Sequence, residues 1–125
     1  MDENEISKIV IDRSIKAHNL LGPGLLESVY EEVLSYELTK AGLLCRRQVG
    51  IPVVYEHVRM EIGFRADILV HDKVILELKS VETVLPVHKK QLLTYLRLSG
   101  LKLGLLLNFN VKLLKDGITR IVNGL

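Results

Sequence analysis

Asp67, Glu77 and Lys79 are the residues whose types and spacing could do chemistry. Asp67 stands ten residues before Glu77, Lys79 follows two after it, and each interrupts an otherwise apolar, strand-like run. Side chains alternate along a strand, so Glu77 and Lys79 project from one face. A hairpin that turns symmetrically about Asp72 would put Asp67 directly opposite Glu77, with Cβ atoms roughly 4.5–5.5 Å apart. Two ionised carboxylates at that distance repel each other and need a compensating charge. Lys79 could supply one such charge. A divalent cation could supply two, and Mg2+ or Mn2+ takes oxygen ligands and readily adds phosphate oxygens. Such an ion polarises a phosphate and lowers the pKa of an attacking water, while a lysine beside it could orient that water or stabilise charge on the phosphorane. Taken alone, the spacing more often marks a cross-strand salt bridge on a solvated face, and it needs context.

The context lies in the elements that must position these residues. From Asn4, a possible cap, to Leu21, the apolar residues Ile6, Val10, Ala17 and Leu21 suit a helix, which Gly22-Pro23-Gly24 then breaks. A second helix carries Leu26, Val29, Tyr30, Val33, Leu34, Leu38 and Ala41 as one stripe, with Gly42 placed to end it. Val49, Ile51, Val53 and Tyr55 alternate, and Pro52 suggests an edge strand. Val58, Met60, Ile62, Phe64, Ala66, Ile68 and Val70 then share one parity, while Arg59, Glu61, Arg65, Asp67 and His71 share the other. After a turn at His71-Asp72-Lys73, Val74, Leu76 and Leu78 alternate against Ile75, Glu77 and Lys79. These read as three consecutive antiparallel strands. A third helix is expected from Pro86 to Ser99, with Gly100 past its end. Leu101 to Phe109 reads as a strand buried on both faces, and a last strand, Ile118 to Val122, follows the Asp116-Gly117 turn. The expected class is α/β, a mixed sheet with helices on its faces in the order α-α-β-β-β-α-β-β.

The 125 residues predict a single domain, 1–125. At 48% hydrophobic and 26% charged, disorder is excluded, and so apolar a chain could also bury surface in a homodimer. A net charge of +2 neither favours nor opposes nucleic acid, which responds to local patches. The single Cys45 rules out an intramolecular disulfide or a multi-cysteine zinc site and fits a reducing compartment. The acidic opening MDENEISKIV has no signal-like pattern, and no apolar run approaches ~18 residues, so a cytoplasmic setting with no membrane contact is expected.

The order of elements and the Asp67…Glu77-Leu78-Lys79 pattern resemble the PD-(D/E)xK nuclease superfamily, with its restriction-endonuclease-like fold. The resemblance spans nearly the whole chain, although Ala66 stands where a proline is expected before the aspartate. Gly24-Leu25-Leu26-Glu27-Ser28-Val29-Tyr30 matches the GxxExxY pattern of one family within it, and Gln91-Leu92-Leu93-Thr94-Tyr95 fits the QxxxY signature of its exonuclease branch. The resemblance implies a Mg2+- or Mn2+-dependent nuclease acting on DNA or RNA. Asp67, Glu77 and the Leu78 carbonyl would hold the ion, Glu27 would assist, Lys79 would act on water, and Gln91 and Tyr95 would stand beside the metal site.

Each supporting residue also has a plainer reading. Glu27 could simply favour a helix N-terminus. Tyr30, one turn on, could brace that carboxylate or contact substrate, but core packing suits it better. Gln91 and Tyr95 share a helix face, which could be only solvated surface. Arg46, Arg47, Lys89 and Lys90 are candidate phosphate contacts in pairs that usually mark solvated faces. Glu37 falls near the middle of the apolar stripe and calls for a cationic partner. The four histidines show no metal-ligand spacing; His88 could approach the site, while His57 and His71 suit turns. The alternatives to a nuclease are a non-catalytic module that binds nucleic acid or protein on the same fold, and a carboxylate cluster serving stability alone.

Overall fold

The computed structural model describes residues 1–125 apart from the side chain of Ile62. Two helices open the chain, α1 (Glu3–Leu21) and α2 (Glu27–Lys40). Asp2, not Asn4, caps α1, its side chain accepting the Glu5 N–H at 2.8 Å and so satisfying one of the free first-turn donors. Three antiparallel strands follow: β1 (Cys45–Tyr55), β2 (Val58–Val70) and β3 (Val74–Lys79). Helix α3 (Pro86–Ser99) begins with its proline and stops at Gly100, whose φ of 79° closes the last turn without Cβ strain. It crosses over to β4 (Leu103–Asn108), parallel to β3, and a short 3-10 turn leads to β5 (Ile118–Val122), antiparallel to β4.

Spatial order in the five-stranded sheet is β1-β2-β3-β4-β5, the order of the chain. Edge position for the strand containing Pro52 is therefore borne out. All six residues of β4 are buried, as expected of a strand covered on both faces. One face of the sheet packs on α1 and α2, joining Ile6, Val10, Leu34 and Leu38 to Val74, Leu76, Leu78, Leu103, Leu105 and Leu107. The other face packs on α3, joining Leu92 and Leu96 to Ile51, Phe64, Ile75 and Leu106.

The unbroken alternation expected along β2 is not what the strand does. Phe64 and Ala66 enter the α3 core, whereas Ile68 and Val70, of the same parity, enter the α1–α2 core. The switch falls at Asp67. Its neighbour across the β1–β2 ladder is Gln48, skipped between the Arg47–Ile68 and Val49–Ala66 pairs and held at φ 50°. A left-handed residue inside a strand turns the face that the strand presents.

The stripe of α2 is also displaced from expectation. Tyr30, Glu31, Leu34, Glu37 and Leu38 are buried, while Leu26 is 73% exposed because the helix starts after it. Glu37 does have a cationic partner: Lys16 of α1 donates to both of its oxygens at 2.8 and 3.2 Å, and Arg13 lies 3.7 Å away. Lys16 holds the Glu37 carboxyl below its ordinary pKa, against the opposing effect of burial. No helix among the described residues is long and apolar enough to cross a membrane.

Candidate active site

The β2–β3 hairpin turns about Asp72, with Val70 opposite Val74 and Ile68 opposite Leu76. His71 and Asp72 take the positive φ values, 52° and 56°, of a tight turn. The next pair in that register is Asp67 with Glu77, as the symmetric turn implied. There the backbones part. The Asp67 Oδ2 instead accepts the Leu78 N–H at 2.8 Å, so a side chain takes over where the ladder stops.

Asp67 and Glu77 are adjacent but look into different recesses on the two sides of β3. On the α2 side a cleft of about 370 Å³ is lined by Glu27, Ser28, Glu31, Gln48, Asp67 and Leu78. On the α3 side Glu77 and Lys79 meet His88, Gln91, Leu92, Tyr95 and Leu106 in a narrower recess. The end of β3 thus divides one site into two halves joined through the Asp67–Glu77 pair.

Electrostatics mark the pair. Burial first, and then the Asp67 charge, push the Glu77 carboxyl up to about 8 against the pull of Lys79. Asp67 is raised too, mainly by burial and then by Glu31, while the Leu78 N–H acts to lower it. Glu77 Oε1 is buried with no hydrogen-bond partner among the described residues. A buried, orphaned carboxylate oxygen beside a second carboxylate is a costly arrangement for a fold to keep without a counter-charge. The donor set consists of oxygens alone and so fits a hard divalent cation better than a soft one. Among the described residues no three His, Cys, Asp or Glu side chains stand close enough together to make a metal cage on their own, so such an ion would keep waters and substrate oxygens.

Of the other expected residues, Glu27 joins the cleft: its Oε2 accepts the Ser80 N–H at 3.2 Å, and Ser80 Oγ donates to the Leu25 carbonyl at 2.6 Å. Gln91 and Tyr95 line the Glu77 recess together with His88, whose Nδ1 accepts the Leu85 N–H at 3.2 Å. The Tyr95 ring stacks on Phe64 at 3.9 Å, so it is also core. Lys89 and Lys90 are exposed on α3 and do not line the recess.

Three expected substrate contacts are engaged elsewhere. Tyr30 is 1% exposed; its ring stacks on Phe109 at 4.5 Å and its hydroxyl donates to the Gly22 carbonyl at 2.6 Å. It packs the core and ties down the loop ahead of Glu27. The Arg47 guanidinium is taken up by Glu31, at 2.9 and 3.1 Å, and by Glu32, at 2.8 Å. Arg46 pairs with Asp72 at the hairpin turn, near the opposite end of β3 from Lys79. His57 and His71 lie in turns. His18 is a structural tie, its Nε2 lying 3.1 and 2.8 Å from the carbonyls of Phe109 and Val111.

Glu31 and Gln48 were not singled out from the sequence. Glu31 follows Glu27 by one helical turn, a spacing that puts both carboxylates on one face of α2. Gln48 Nε2 donates to Glu31 Oε1 at 2.6 Å and more weakly to Asp67 Oδ1 at 3.4 Å. No pattern of residue types marks Gln48, because its place depends on the kink in β1.

A family model of the PD-(D/E)XK nuclease superfamily matches residues 4–121. The chain belongs to that superfamily. No curated protein and no solved structure matches it. The α/β architecture, its mixed sheet and its order of elements agree with the restriction-endonuclease-like fold of PD-(D/E)XK nucleases.

Proposed function

We propose that this member of the superfamily is a metal-dependent nuclease, hydrolysing phosphodiester bonds in DNA or RNA, and that it falls in the GxxExxY family through Gly24, Glu27 and Tyr30. The observation that carries the reading is the buried, unpartnered Glu77 Oε1 beside Asp67, with Lys79 on the same strand face two residues on. Asp67, Glu77 and the Leu78 carbonyl would hold Mg2+ or Mn2+, with Glu27 assisting through water. When bound, the ion supplies Lewis acidity at the phosphate and lowers the pKa of a water.

The chain's own groups do the rest. Lys79 projects into the α3-side recess, where its ammonium can hydrogen-bond the attacking water or stabilise the charge that grows on the phosphorane. The Gln91 amide can donate to a phosphate oxygen from across the same recess. Lys89 and Lys90, unshielded on α3, can attract the nucleic-acid backbone. Arg47 acts indirectly, by neutralising Glu31 beside the cleft.

Calorimetric titration with Mn2+ or Mg2+, comparing the native chain with the Asp67→Asn/Glu77→Gln variant, tests the reading. Saturable binding that the double variant loses, followed by cleavage of DNA or RNA oligonucleotides, is the expected result. No binding by the native chain, even with a short oligonucleotide present, would move the assignment to a non-catalytic binding module on the same fold.

A further inference from the structure

Asn108 is an unusual residue for its place. It ends β4, whose other members are Leu103, Gly104, Leu105, Leu106 and Leu107, and it is itself 3% exposed. Asparagine is a poor strand former, and a buried amide is costly unless its donors and acceptor are satisfied. Here they are turned to one purpose. Nδ2 donates to the Val81 carbonyl at 2.9 Å, while Oδ1 accepts the Val81 N–H at 3.1 Å and the Asn110 N–H at 3.2 Å.

The parallel β3–β4 ladder closes with Lys79 opposite Asn108, and the Phe109 N–H donates to the Lys79 carbonyl at 2.9 Å. Beyond that pair the strand has ended, yet the Asn108 side chain grips Val81 through both backbone groups, as another strand would. Ser80 is therefore held on both sides, by the ladder at Lys79 and by the amide at Val81. Its N–H is the donor that meets Glu27, and its hydroxyl ties to the Leu25 carbonyl in the loop ahead of α2.

We infer that Asn108 is a positioning residue of the site: by clamping Val81 it fixes Ser80, and through Ser80 it sets where the Glu27 carboxylate stands relative to Lys79. The inference deepens the nuclease reading, and only its kinetic arm rests on that reading.

The test is a double-mutant cycle between Asn108→Leu and Glu27→Gln, read in two ways. The first readout is the Ser80 amide resonance, which does not depend on any activity. Glu27→Gln shifts it in the native background and leaves it unmoved in the Asn108→Leu background. The second is Mn2+-dependent cleavage of an oligonucleotide. Asn108→Leu lowers kcat about tenfold with KM little changed, and adding Glu27→Gln lowers it no further than the worse single variant. Should Asn108→Leu not fold, Asn108→Asp serves in its place, because it keeps both acceptor bonds and loses the donor to Val81. An unchanged Ser80 response to Glu27→Gln in the Asn108 variants, or fully additive losses of kcat, would overturn the inference. A native chain without cleavage but with the coupled Ser80 response would sink the nuclease reading and leave the positioning role standing.

Discussion

The Asp67 carboxylate accepts the Leu78 amide hydrogen bond at 2.8 Å, at the point where β2 and β3 stop pairing. One oxygen of Asp67 is thereby fixed by backbone, and its charge is pressed against Glu77. The site is preorganised at a cost in stability, which makes that cost measurable.

Stability of the metal-free protein should fall as pH rises from about 4.5 to about 8. The folded Glu77 carboxyl titrates near 8 against an ordinary 4.5, so in that window the folded state binds the extra proton and the unfolded state does not. The raised Asp67 carboxyl acts in the same direction, from its ordinary 3.8 upward. Thermal melts in EDTA across this range check it. Glu77→Gln should flatten the slope and raise the melting temperature by several degrees at pH 8, and saturating Mn2+ should stabilise the native chain more at pH 8 than at pH 5. A native melting temperature that climbs steadily from pH 5 to pH 8 in EDTA would contradict the account.

Lys79→Ala should remove cleavage by a factor of about 10²–10³ while leaving Mn2+ affinity and most oligonucleotide binding in place. Single-turnover cleavage and calorimetry on one preparation separate the two. Loss of metal binding along with cleavage would mean that Lys79 holds the carboxylates rather than acting on water.

Much of this architecture was legible because particular residues leave few choices. Pro86 and Gly100 bracket α3 through fixed and left-handed φ, so its bounds follow from the sequence. The spacing of Asp67 and Glu77 about Asp72 was readable for the same reason: a tight turn has one centre. The face switch in β2 was not. Phe64, Ala66, Ile68 and Val70 alternate without a break, and glutamine is not a residue that announces a left-handed kink at position 48. Leu26 falls in the apolar stripe by spacing yet is the N-cap, a distinction that helical periodicity does not carry. Glu31 carries no sequence signal of its own, because its importance comes from what the folded β1 brings to it, Arg47 and Gln48.

Gly104→Ala should lower stability by about 1–3 kcal/mol. A Cβ there would stand 2.9–3.0 Å from the Leu92 side chain, which cannot withdraw from a packed core. Because Leu92 adjoins Gln91 on α3, the same change should also weaken whatever Gln91 contributes to cleavage. Denaturant melts and kcat measured together check it; an unperturbed melt would show that α3 can slide freely over β4.

Tyr30→Phe should cost about 1 kcal/mol through its lost bonds to Gly22 and Leu25, with KM for an oligonucleotide unchanged. A rise in KM without loss of stability would instead make the Tyr30 hydroxyl a substrate contact.

A sheet whose spatial order repeats its chain order has a kinetic consequence. The β1–β2 and β2–β3 connections are hairpins and bring Asp67 and Glu77 together by local closure alone, which carries little loop entropy. The demanding closure is the β3-to-β4 crossover through residues 80–102, which must find a parallel partner at a distance along the chain. Folding of this chain is therefore expected to be gated by how well α3 seats on β4. On that expectation the carboxylate pair comes together with the hairpin, and Gln91 joins it only once the crossover closes.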